Sequence, residues 1–515
     1  MNKNNIATKE VVLVDGENLL LEDVLAVARG AAPVALHPSG REKLLKSRAI
    51  VEDILTQERV VYGVTTGFGR FSDVLIPRED SGALQNNIIM SHACGVGDPL
   101  PQEVVRAMML LRANSLAKGY SGVRLEVVML LLEMLNRGLH PLVPSKGSVG
   151  ASGDLIPLSH IALSMLGLGE MSYRGELFSS DKAFAQVGLT PLQLTAKEGL
   201  ALINGTQYMS ALGTLALLDA IELFKTASIA AAMTFESLQG IVAAFHPQVH
   251  QVRPHCGQKL SAALMLRLLQ GSELVSCEPA RVQDAYTLRC IPQVHGATFD
   301  ALEYIRSVLE IEINAATDNP LVFPESGEVI SCGNFHGQPL ALALDLLAIA
   351  VNELGNISER RIERLVNPAL NNGLPAFLTE NGGLNSGLML LQYAAAALVS
   401  EGKVLSHPGA VDSIPTSGNQ EDHVSMGSIS AYKGRQVVEN ISWVIAAELL
   451  AAARAMRFIE HRPGKACSTA LRLLGEVLPQ DDSDRILYKD LQSVHELLES
   501  GAIISAIEEV VGKLF

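Results

Sequence analysis

The sequence has few aromatic residues and no excess of positive charge. Aromatic residues make up 4% of its 515 residues, and 40 Lys and Arg residues are outnumbered by 55 Asp and Glu residues, which gives a formal net charge of −15. A nucleic-acid-binding surface requires a basic stripe that displaces counterions. The charge balance therefore argues against nucleic acid as a partner and is typical of a soluble metabolic protein.

Cysteine is also scarce, and its spacing indicates neither a metal site nor a disulfide framework. No Cys-x-x-Cys pair occurs. With 48% hydrophobic residues, the chain can bury a large core without a disulfide or metal staple. We therefore expect reduced thiols and a cytoplasmic location. The six cysteines are Cys94, Cys256, Cys277, Cys290, Cys332 and Cys467.

Membrane-length apolar runs and linkers are missing as well, and we expect no leader segment. Asp345 interrupts the best candidate for a membrane span. Met1–Asn5 is polar and lacks the apolar core of a signal peptide. No Pro/Gly/Ser-rich linker, repeat or low-complexity segment divides the chain. We expect no membrane association and one closely packed unit, or at most an N-terminal region over 1–220 followed by a helical region over 221–515.

Runs of Ala and Leu are abundant and predict a mainly α protein. Ala341–Val351 and Val444–Met456 are typical of long buried helices. Residues 20–60 carry helical periodicity, which places Arg48 on a solvent face. From residue 337 onward the sequence predicts helix almost to the end.

Two short segments depart from this helical pattern and predict β-hairpins. Tyr173-Arg174-Gly175-Glu176 has turn composition between short apolar stretches, so we expect a small β insertion over Met171–Leu177. Leu321–Phe323 and Glu328–Ser331 are separated by Pro324–Gly327 and predict a second hairpin. The predicted fold class is therefore mainly α with small β-hairpins.

The most informative motif is Gly-Ser-Val-Gly-Ala-Ser-Gly-Asp at residues 147–154. Attack by the Gly153 nitrogen on the Ala151 carbonyl would close a five-membered ring. Loss of two waters, one carrying the Ser152 hydroxyl, would leave 4-methylidene-imidazol-5-one (MIO), a strong electrophile. Gly153 has no Cβ to block this approach. A following helix would favour negative charge on the ring through its N-terminal dipole. Ala-Ser-Gly alone is also compatible with an ordinary turn.

A second motif, His246-Pro-Gln-Val-His250, suggests a metal site but lacks the necessary context. Two histidines four residues apart can bind zinc from one helix face. Pro247 and Pro254 bracket this segment, and no acidic residue lies between the histidines, as the metalloprotease motif would require. We expect a solvated helix entry here and no metal.

Several polar clusters interrupt otherwise apolar chain, and each alone has an ordinary structural explanation. Asn204 could cap a helix, and Arg289 could form an ordinary salt bridge. Together with the motif at 147–154, however, they closely resemble the aromatic amino acid ammonia-lyase and aminomutase family, in order from Tyr62 to Met426. The match is best to its histidine-specific members. The clusters are Tyr62, Ser91-His92, Asn204-Gly205-Thr206, Gln283-Asp284-Ala285-Tyr286 with Arg289, Asn334-Phe335-His336 and Asn419-Gln420-Glu421-Asp422-His423.

The resemblance implies a fold, an assembly and a cofactor. It implies a large, elongated helical bundle and a homotetramer whose active sites each draw residues from three subunits. It also implies that Ala151, Ser152 and Gly153 form MIO without added enzyme, metal or dissociable cofactor. The products of such an enzyme would be ammonia and an unsaturated acid.

The resemblance also assigns roles to single residues. Asn204 would hydrogen-bond the imidazolone oxygen, as in an oxyanion hole. Tyr286 would remove the substrate β-proton, and Tyr62 would assist near the amine. Arg289 would bind the substrate carboxylate, a bidentate task that suits its planar guanidinium. Two further positions, Gln283 and Phe335, would line the pocket.

Two residues bear on the choice of substrate. His92 matches histidine and tyrosine enzymes of the family, whereas Glu421 matches the histidine form. A carboxylate can pair with an imidazole but is costly to bury beside a phenyl ring. We therefore expect deamination of L-histidine to trans-urocanate. Tyrosine ammonia-lyase or tyrosine 2,3-aminomutase activity is the alternative, and a non-catalytic helical scaffold is a more remote one.

Overall fold

Helices dominate the computed structural model, which describes residues 10–275, 281–481 and 483–515. Met1–Asn5 and Cys277, on which sequence expectations fall, lie outside the described residues. The helices are α1 Leu21–Ala28, α2 Pro38–Thr56, α3 Ser81–His92, α4 Gln102–Ala117, α5 Leu125–Arg137, α6 Leu155–Met165, α7 Ser180–Val187, α8 Glu198–Ile203, α9 Gln207–Ser237, α10 Pro247–Gln251, α11 Cys256–Leu268, α12 Tyr286–Arg289, α13 Ile291–Glu312, α14 Gln338–Val366, α15 Met389–Leu405, α16 Gly427–Met456, α17 Lys465–Val477, α18 Leu487–Glu499 and α19 Ala502–Val511.

The strands are short and lie in four small sheets among the described residues. They are β1 Val12–Val14, β2 Val34–Leu36, β3 Val96–Pro99, β4 Leu139–Pro141, β5 Pro144–Lys146, β6 Glu170–Tyr173, β7 Glu176–Ser179, β8 Leu321–Phe323 and β9 Glu328–Ile330. β1 pairs with β2 in parallel, whereas the pairs β3–β5, β4–β6, β6–β7 and β8–β9 are antiparallel. The mainly α fold expected from the sequence is confirmed.

Three long helices, α9, α14 and α16, form the centre of the bundle. Nearly every residue of α9 is buried, so this helix is apolar on all sides and packed on all sides. α14 and α16 bury broad faces and present some apolar residues outward, including Leu342 and Ile349 of α14. The core is therefore continuous from α9 across the other two helices.

A buried polar cluster joins these three helices. The Arg361 guanidinium of α14 makes a bidentate ion pair with Glu448 of α16, at 2.5 and 2.8 Å. The hydroxyls of Thr234 on α9 and Ser358 on α14 donate to the same carboxylate at 2.8 and 2.7 Å. Burial and the nearby guanidinium hold the pKa of His295 well below its usual value. A buried ion pair is tolerated when its remaining hydrogen bonds are satisfied, and here four donors meet one carboxylate.

Two of the long helices would pass a membrane-span test by length and composition alone. They are α14 and α16, and 72% of the most apolar window of each is buried inside the protein. Asp345 of α14 is itself buried and accepts hydrogen bonds from the N–H groups of Gly409 and Ala410 at 2.9 and 2.8 Å. Burial to this extent is typical of helices in the core of a protein, and α14 and α16 fit that description.

Most of the predicted local elements are present, with one interruption. Both predicted hairpins are confirmed as β6–β7 and β8–β9. The segment predicted as helical over 20–60 instead contains α1, the strand β2 and α2. Pro33 disfavours helix for the residue before it, and β2 gains a parallel partner in β1. α9 runs without a break across residue 220. The division of the chain into regions over 1–220 and 221–515 stays a prediction.

Candidate active site

The loop at residues 147–154 lies where three helices begin: α6, α9 and α16. The Asp154 carboxylate accepts hydrogen bonds from the backbone N–H groups of Tyr208 and Met209, in the first turn of α9, at 3.0 Å each. The Asp154 N–H donates to the Gly205 carbonyl at 2.7 Å. One residue thus connects the loop to the start of α6 and the start of α9, and both helix dipoles direct positive charge toward the loop.

The start of α16 holds the other side of the loop. The Ser425 hydroxyl donates to the Gly150 carbonyl at 3.0 Å, and the Ser428 hydroxyl donates to the Ser148 carbonyl at 2.7 Å. The Met426 N–H donates to the Val149 carbonyl at 3.0 Å. Three consecutive carbonyls of the loop are therefore fixed by residues far away in the chain.

Glycine is required at two positions of the loop. Gly150 and Gly153 have φ of +68° and +73°, which residues with a Cβ rarely adopt. A Cβ at Gly153 would lie 2.3 Å from the Gly205 oxygen, and one at Gly150 would lie 2.4 Å from the Ser425 hydroxyl. At Gly153 the neighbour is backbone, which cannot rotate away as a side chain could, so the loop is compressed there, as ring closure between Ala151 and Gly153 would require.

The loop is electrostatically unusual because Asp154 is completely buried. Burial raises the pKa of its carboxyl to about 7, against the opposing effect of the hydrogen bonds from Met209, Ser148 and Tyr208. The group therefore changes charge near neutral pH. Asp154 lies immediately after the Ala-Ser-Gly sequence, so a change in its charge would change the electric field at the loop.

A cavity of 1210 Å³ opens beside the loop. It holds six of the residues that the sequence predicts for the site, which come from widely separated parts of the chain. Ala151 is buried next to it against Val424 and Met426. The six are Tyr62, His92, Ser152, Asn204, Phe335 and Glu421.

Within this cavity Glu421 contacts the central serine of the loop. Its Oε1 accepts a hydrogen bond from the Ser152 hydroxyl at 2.8 Å, and its Oε2 accepts one from the Thr416 hydroxyl at 2.7 Å. His92 Nδ1 lies 3.1 Å from the Ser91 hydroxyl, and burial lowers the pKa of the His92 imidazole although Glu421 acts in the opposite direction. Tyr62 accepts the Gly69 N–H with its hydroxyl at 3.2 Å.

Asn204 reaches the cavity wall from a buried polar cluster. Its Nδ2 donates to the Asn319 carbonyl at 3.0 Å and to Asp318 at 3.4 Å. Its Oδ1 is buried without a hydrogen-bond partner among the described residues. Lys197 and Asp318 form a fully buried ion pair at 2.7 Å behind it. An orphaned buried amide oxygen is costly, so Asn204 retains an unused hydrogen-bond acceptor, and the residue lines the cavity that contains Ser152.

Three of the predicted site residues do not join this cavity within one chain. Gln283 lies at a separate cavity of 300 Å³, and Tyr286 is 71% exposed. The Arg289 guanidinium lies over the Tyr286 ring, 4.5 Å from its centroid, and Arg289 Nε donates to the Asp284 carbonyl at 3.0 Å. The structure therefore pairs the exposed Tyr286 with the half-buried Arg289, outside the cavity that contains Ser152.

The histidine motif at residues 246–250 is used structurally. The His246 side chain accepts the Gln248 N–H and caps α10, which agrees with the predicted helix entry. His250 is buried rather than solvated, and it contacts the Ala244 carbonyl at 3.1 Å and Gln258 at 3.0 Å. Among the described parts of the chain, no three His, Cys, Asp or Glu side chains are grouped as a metal ion would require.

Comparison with known proteins gives consistent matches along almost the whole chain. The family model described as aromatic amino acid lyase matches residues 19–476. A histidine ammonia-lyase of Caldanaerobacter subterraneus subsp. tengcongensis is 56% identical over 500 residues, which cover 97% of this chain and 98% of that protein.

Solved structures show the same likeness. A crystal structure of histidine ammonia-lyase from Trypanosoma cruzi superposes with a TM-score of 0.91 at 43% identity, covering 98% of this chain and 96% of that one. Tyrosine aminomutase from Streptomyces globisporus superposes with a TM-score of 0.93 at 38% identity, covering 97% and 99%. The chain therefore belongs to the aromatic amino acid lyase family and is an enzyme, a carbon–nitrogen lyase.

Proposed function

We propose that this enzyme deaminates L-histidine to trans-urocanate and ammonia, using an MIO group made from Ala151, Ser152 and Gly153. The observation that carries the proposal is the Glu421 carboxylate in the cavity, within hydrogen-bond distance of Ser152. The relative at 56% identity and the solved structure at 43% identity both carry the name histidine ammonia-lyase.

The residues around the loop fit an MIO group. The Gly153 backbone lies so close to Gly205 that a Cβ would clash, and the Asn204 amide, whose N–H would donate to the imidazolone oxygen, lines the same cavity as Ser152. The starts of α6 and α9 point at the same place, where negative charge would be stabilised. When formed, MIO supplies an electrophile that makes the amino group a better leaving group.

The chain's own residues then bind, orient and deprotonate the substrate. Arg289 binds the substrate carboxylate with its planar guanidinium. Tyr286 takes the proton from the β-carbon, and Tyr62 assists at the amine from the cavity wall. Phe335 and Gln283 line the pocket, on the cavity side and the surface side respectively.

The choice of histidine depends on Glu421 and His92. A carboxylate in a partly enclosed cavity can accept an imidazole N–H or stabilise a charged imidazole. The same carboxylate gains little from a phenyl ring and loses solvation beside it. The lowered pKa of His92 favours its neutral form, so it does not add a second positive charge beside the substrate ring.

The position of Tyr286 and Arg289 supports a site shared between subunits. Tyr286 is exposed and Arg289 is half-buried, and neither lines the cavity that contains Ser152. Exposed apolar residues on α13, α14 and α15, namely Ile311 (73%), Leu342 (55%) and Tyr393 (64%), offer a surface for self-association. We propose a homotetramer that brings these residues to the Ser152 cavity of a neighbouring copy, and its mass in solution tests this.

One product assay tests the proposed reaction. The purified protein is incubated separately with L-histidine, L-tyrosine and L-phenylalanine, and ammonia, unsaturated acids and β-amino acids are measured. Urocanate from histidine, with little reaction of the other two, is the expected result. Coumarate would indicate a tyrosine lyase instead. A β-tyrosine product would indicate an aminomutase, the activity named for the structural neighbour with a TM-score of 0.93. No reaction with any of the three would indicate an enzyme of this family that acts on a different substrate.

A further inference from the structure

Both oxygens of the Glu421 carboxylate are occupied by hydroxyl donors. Oε1 accepts from Ser152, and Oε2 accepts from Thr416. Thr416 and Glu421 are also joined through the backbone, because the Thr416 N–H donates to the Glu421 carbonyl at 3.0 Å in an isolated β-bridge. The carboxylate is thus held from its main chain and from its side chain by the same residue.

This double attachment matters because the surrounding turn is exposed. The four residues between Thr416 and Glu421, 417–420, are exposed, while Thr416 and Glu421 themselves are half-buried. A glutamate side chain in such a turn would sample several rotamers. The hydroxyl of Thr416 therefore fixes the carboxylate at the one place where it meets Ser152.

The Glu421 carboxylate accepts a hydrogen bond from Ser152, whose hydroxyl must leave after ring closure. In the proposed maturation, a bond forms between Gly153 N and the Ala151 carbonyl carbon. The Ala151 oxygen departs as the first water with the amide protons of Gly153 and Ser152. The Ser152 hydroxyl then departs as the second water with the Ser152 Cα proton, which leaves a C=C bond.

We infer that Thr416 is a positioning residue for maturation, and that the Thr416–Glu421 pair holds the Ser152 hydroxyl in the cavity for the second dehydration. This inference rests on the proposed function, since it requires the loop to become MIO. The hydrogen bond selects the Ser152 rotamer whose oxygen faces the 1210 Å³ cavity. The departing water then has an open exit, whereas Gly205 closes the Gly153 end of the loop.

The experiment follows water loss directly. The full-length chain is made by cell-free synthesis, quenched at intervals, and examined by intact-mass spectrometry for loss of two waters. Four variants are compared with the wild type: Thr416→Val, Thr416→Ser, Glu421→Gln and Thr298→Val. Thr298 is the matched control because its hydroxyl donates to the Ala350 carbonyl at 2.9 Å in the bundle, away from the loop.

We expect Thr416→Val to slow the second water loss by about tenfold, as removal of a charge-assisted hydrogen bond would. Thr416→Ser restores the hydroxyl and should mature at the wild-type rate. Glu421→Gln should be slowed at least as much as Thr416→Val. Thr298→Val should mature normally, even with a lower melting temperature.

The outcomes separate the inference from the proposed function. A wild-type maturation rate in folded Thr416→Val would overturn the inference, as would equal slowing in Thr416→Val and Thr416→Ser. If Thr416→Val does not fold, Glu421→Gln decides the matter alone. A wild-type chain that keeps its full mass would overturn the proposed MIO function itself.

Discussion

The loop at 147–154 and the segment at 281–289 are both candidate parts of one active site, yet the loop is enclosed and the segment is exposed. The loop is enclosed by three helix starts, and its carbonyls and glycines are fixed by contacts from distant residues. The other segment is open: Val282 is fully exposed and Tyr286 is 71% exposed. Chemistry that modifies the backbone needs rigid surroundings, whereas residues offered to another copy must remain on the surface. In the proposed shared site, a single chain completes the enclosed half, and a neighbouring copy supplies the exposed half.

Replacing Ser152 should produce the largest effect, because it removes the leaving hydroxyl of the enclosed half. Ser152→Ala should retain its full sequence mass and lose all measurable ammonia release. Intact mass and a urocanate absorbance assay check this. Ser326→Ala, in the exposed β8–β9 turn, is the control and should behave as wild type. Normal turnover by Ser152→Ala would exclude an MIO mechanism.

Replacing Tyr286 should disable only the exposed half. Tyr286→Phe should still lose two waters, but turnover should fall by about a hundred- to ten-thousand-fold, the usual effect of removing a general base. Tyr304→Phe, an exposed tyrosine on α13, is the matched control. Near-normal turnover in Tyr286→Phe would transfer the base role to another residue, with Tyr62 the first to test.

Mixing these two inactive variants tests whether the halves come from different chains. If Ser152 and Tyr286 of one site belong to different subunits, co-expressed Ser152→Ala and Tyr286→Phe chains should regain activity at about one quarter of the sites by random assembly. Co-expression of either variant with the double variant should restore none. No recovery in the first mixture would place both residues of a site in the same chain.

A smaller effect is expected from Arg289→Lys. Lysine keeps the charge but loses the planar fork and its stacking over Tyr286, so the carboxylate would be held less firmly. We expect kcat/KM for histidine to fall by about an order of magnitude or more. Steady-state kinetics measure this, with Arg472→Lys, in an exposed α17 ion pair, as control. Unchanged kinetics would assign carboxylate binding to another residue.

Sequence patterns correctly predicted those structural elements that depend on neighbouring residues in the chain. The helix start after Asp154 and both hairpins follow from periodicity and turn composition, and all are present. The prediction that Arg48 lies on a solvent face is wrong. Its guanidinium is buried and donates to the carbonyls of Gly122 and Ala196 at 3.2 and 3.0 Å. Helical periodicity cannot identify such acceptors, because they come from elsewhere in the chain.

In the candidate site, too, sequence patterns could not predict contacts between residues that are distant in the chain. Six of the predicted residues share a cavity, but the direct bond between Ser152 and Glu421 joins residues 269 positions apart. No sequence pattern identified Thr416 as a site residue, because threonine is common before a turn. Asp154 could have been noticed, because an aspartate at a helix start is a frequent capping residue, although its role at the start of α9 depends on tertiary packing.

The hydrogen bonds from Ser425 and Ser428 to the loop have a consequence for the order of events as the protein is made. They join the loop to residues 275 and 280 positions further along the chain. A growing chain that has passed residue 154 but not residue 428 has no means of forming them. In the proposed maturation, ring closure would therefore wait for nearly complete synthesis and for the slow long-range contacts of folding. The proposed modification would then occur only on chains whose distant parts have come together, and it would mark those chains as correctly folded.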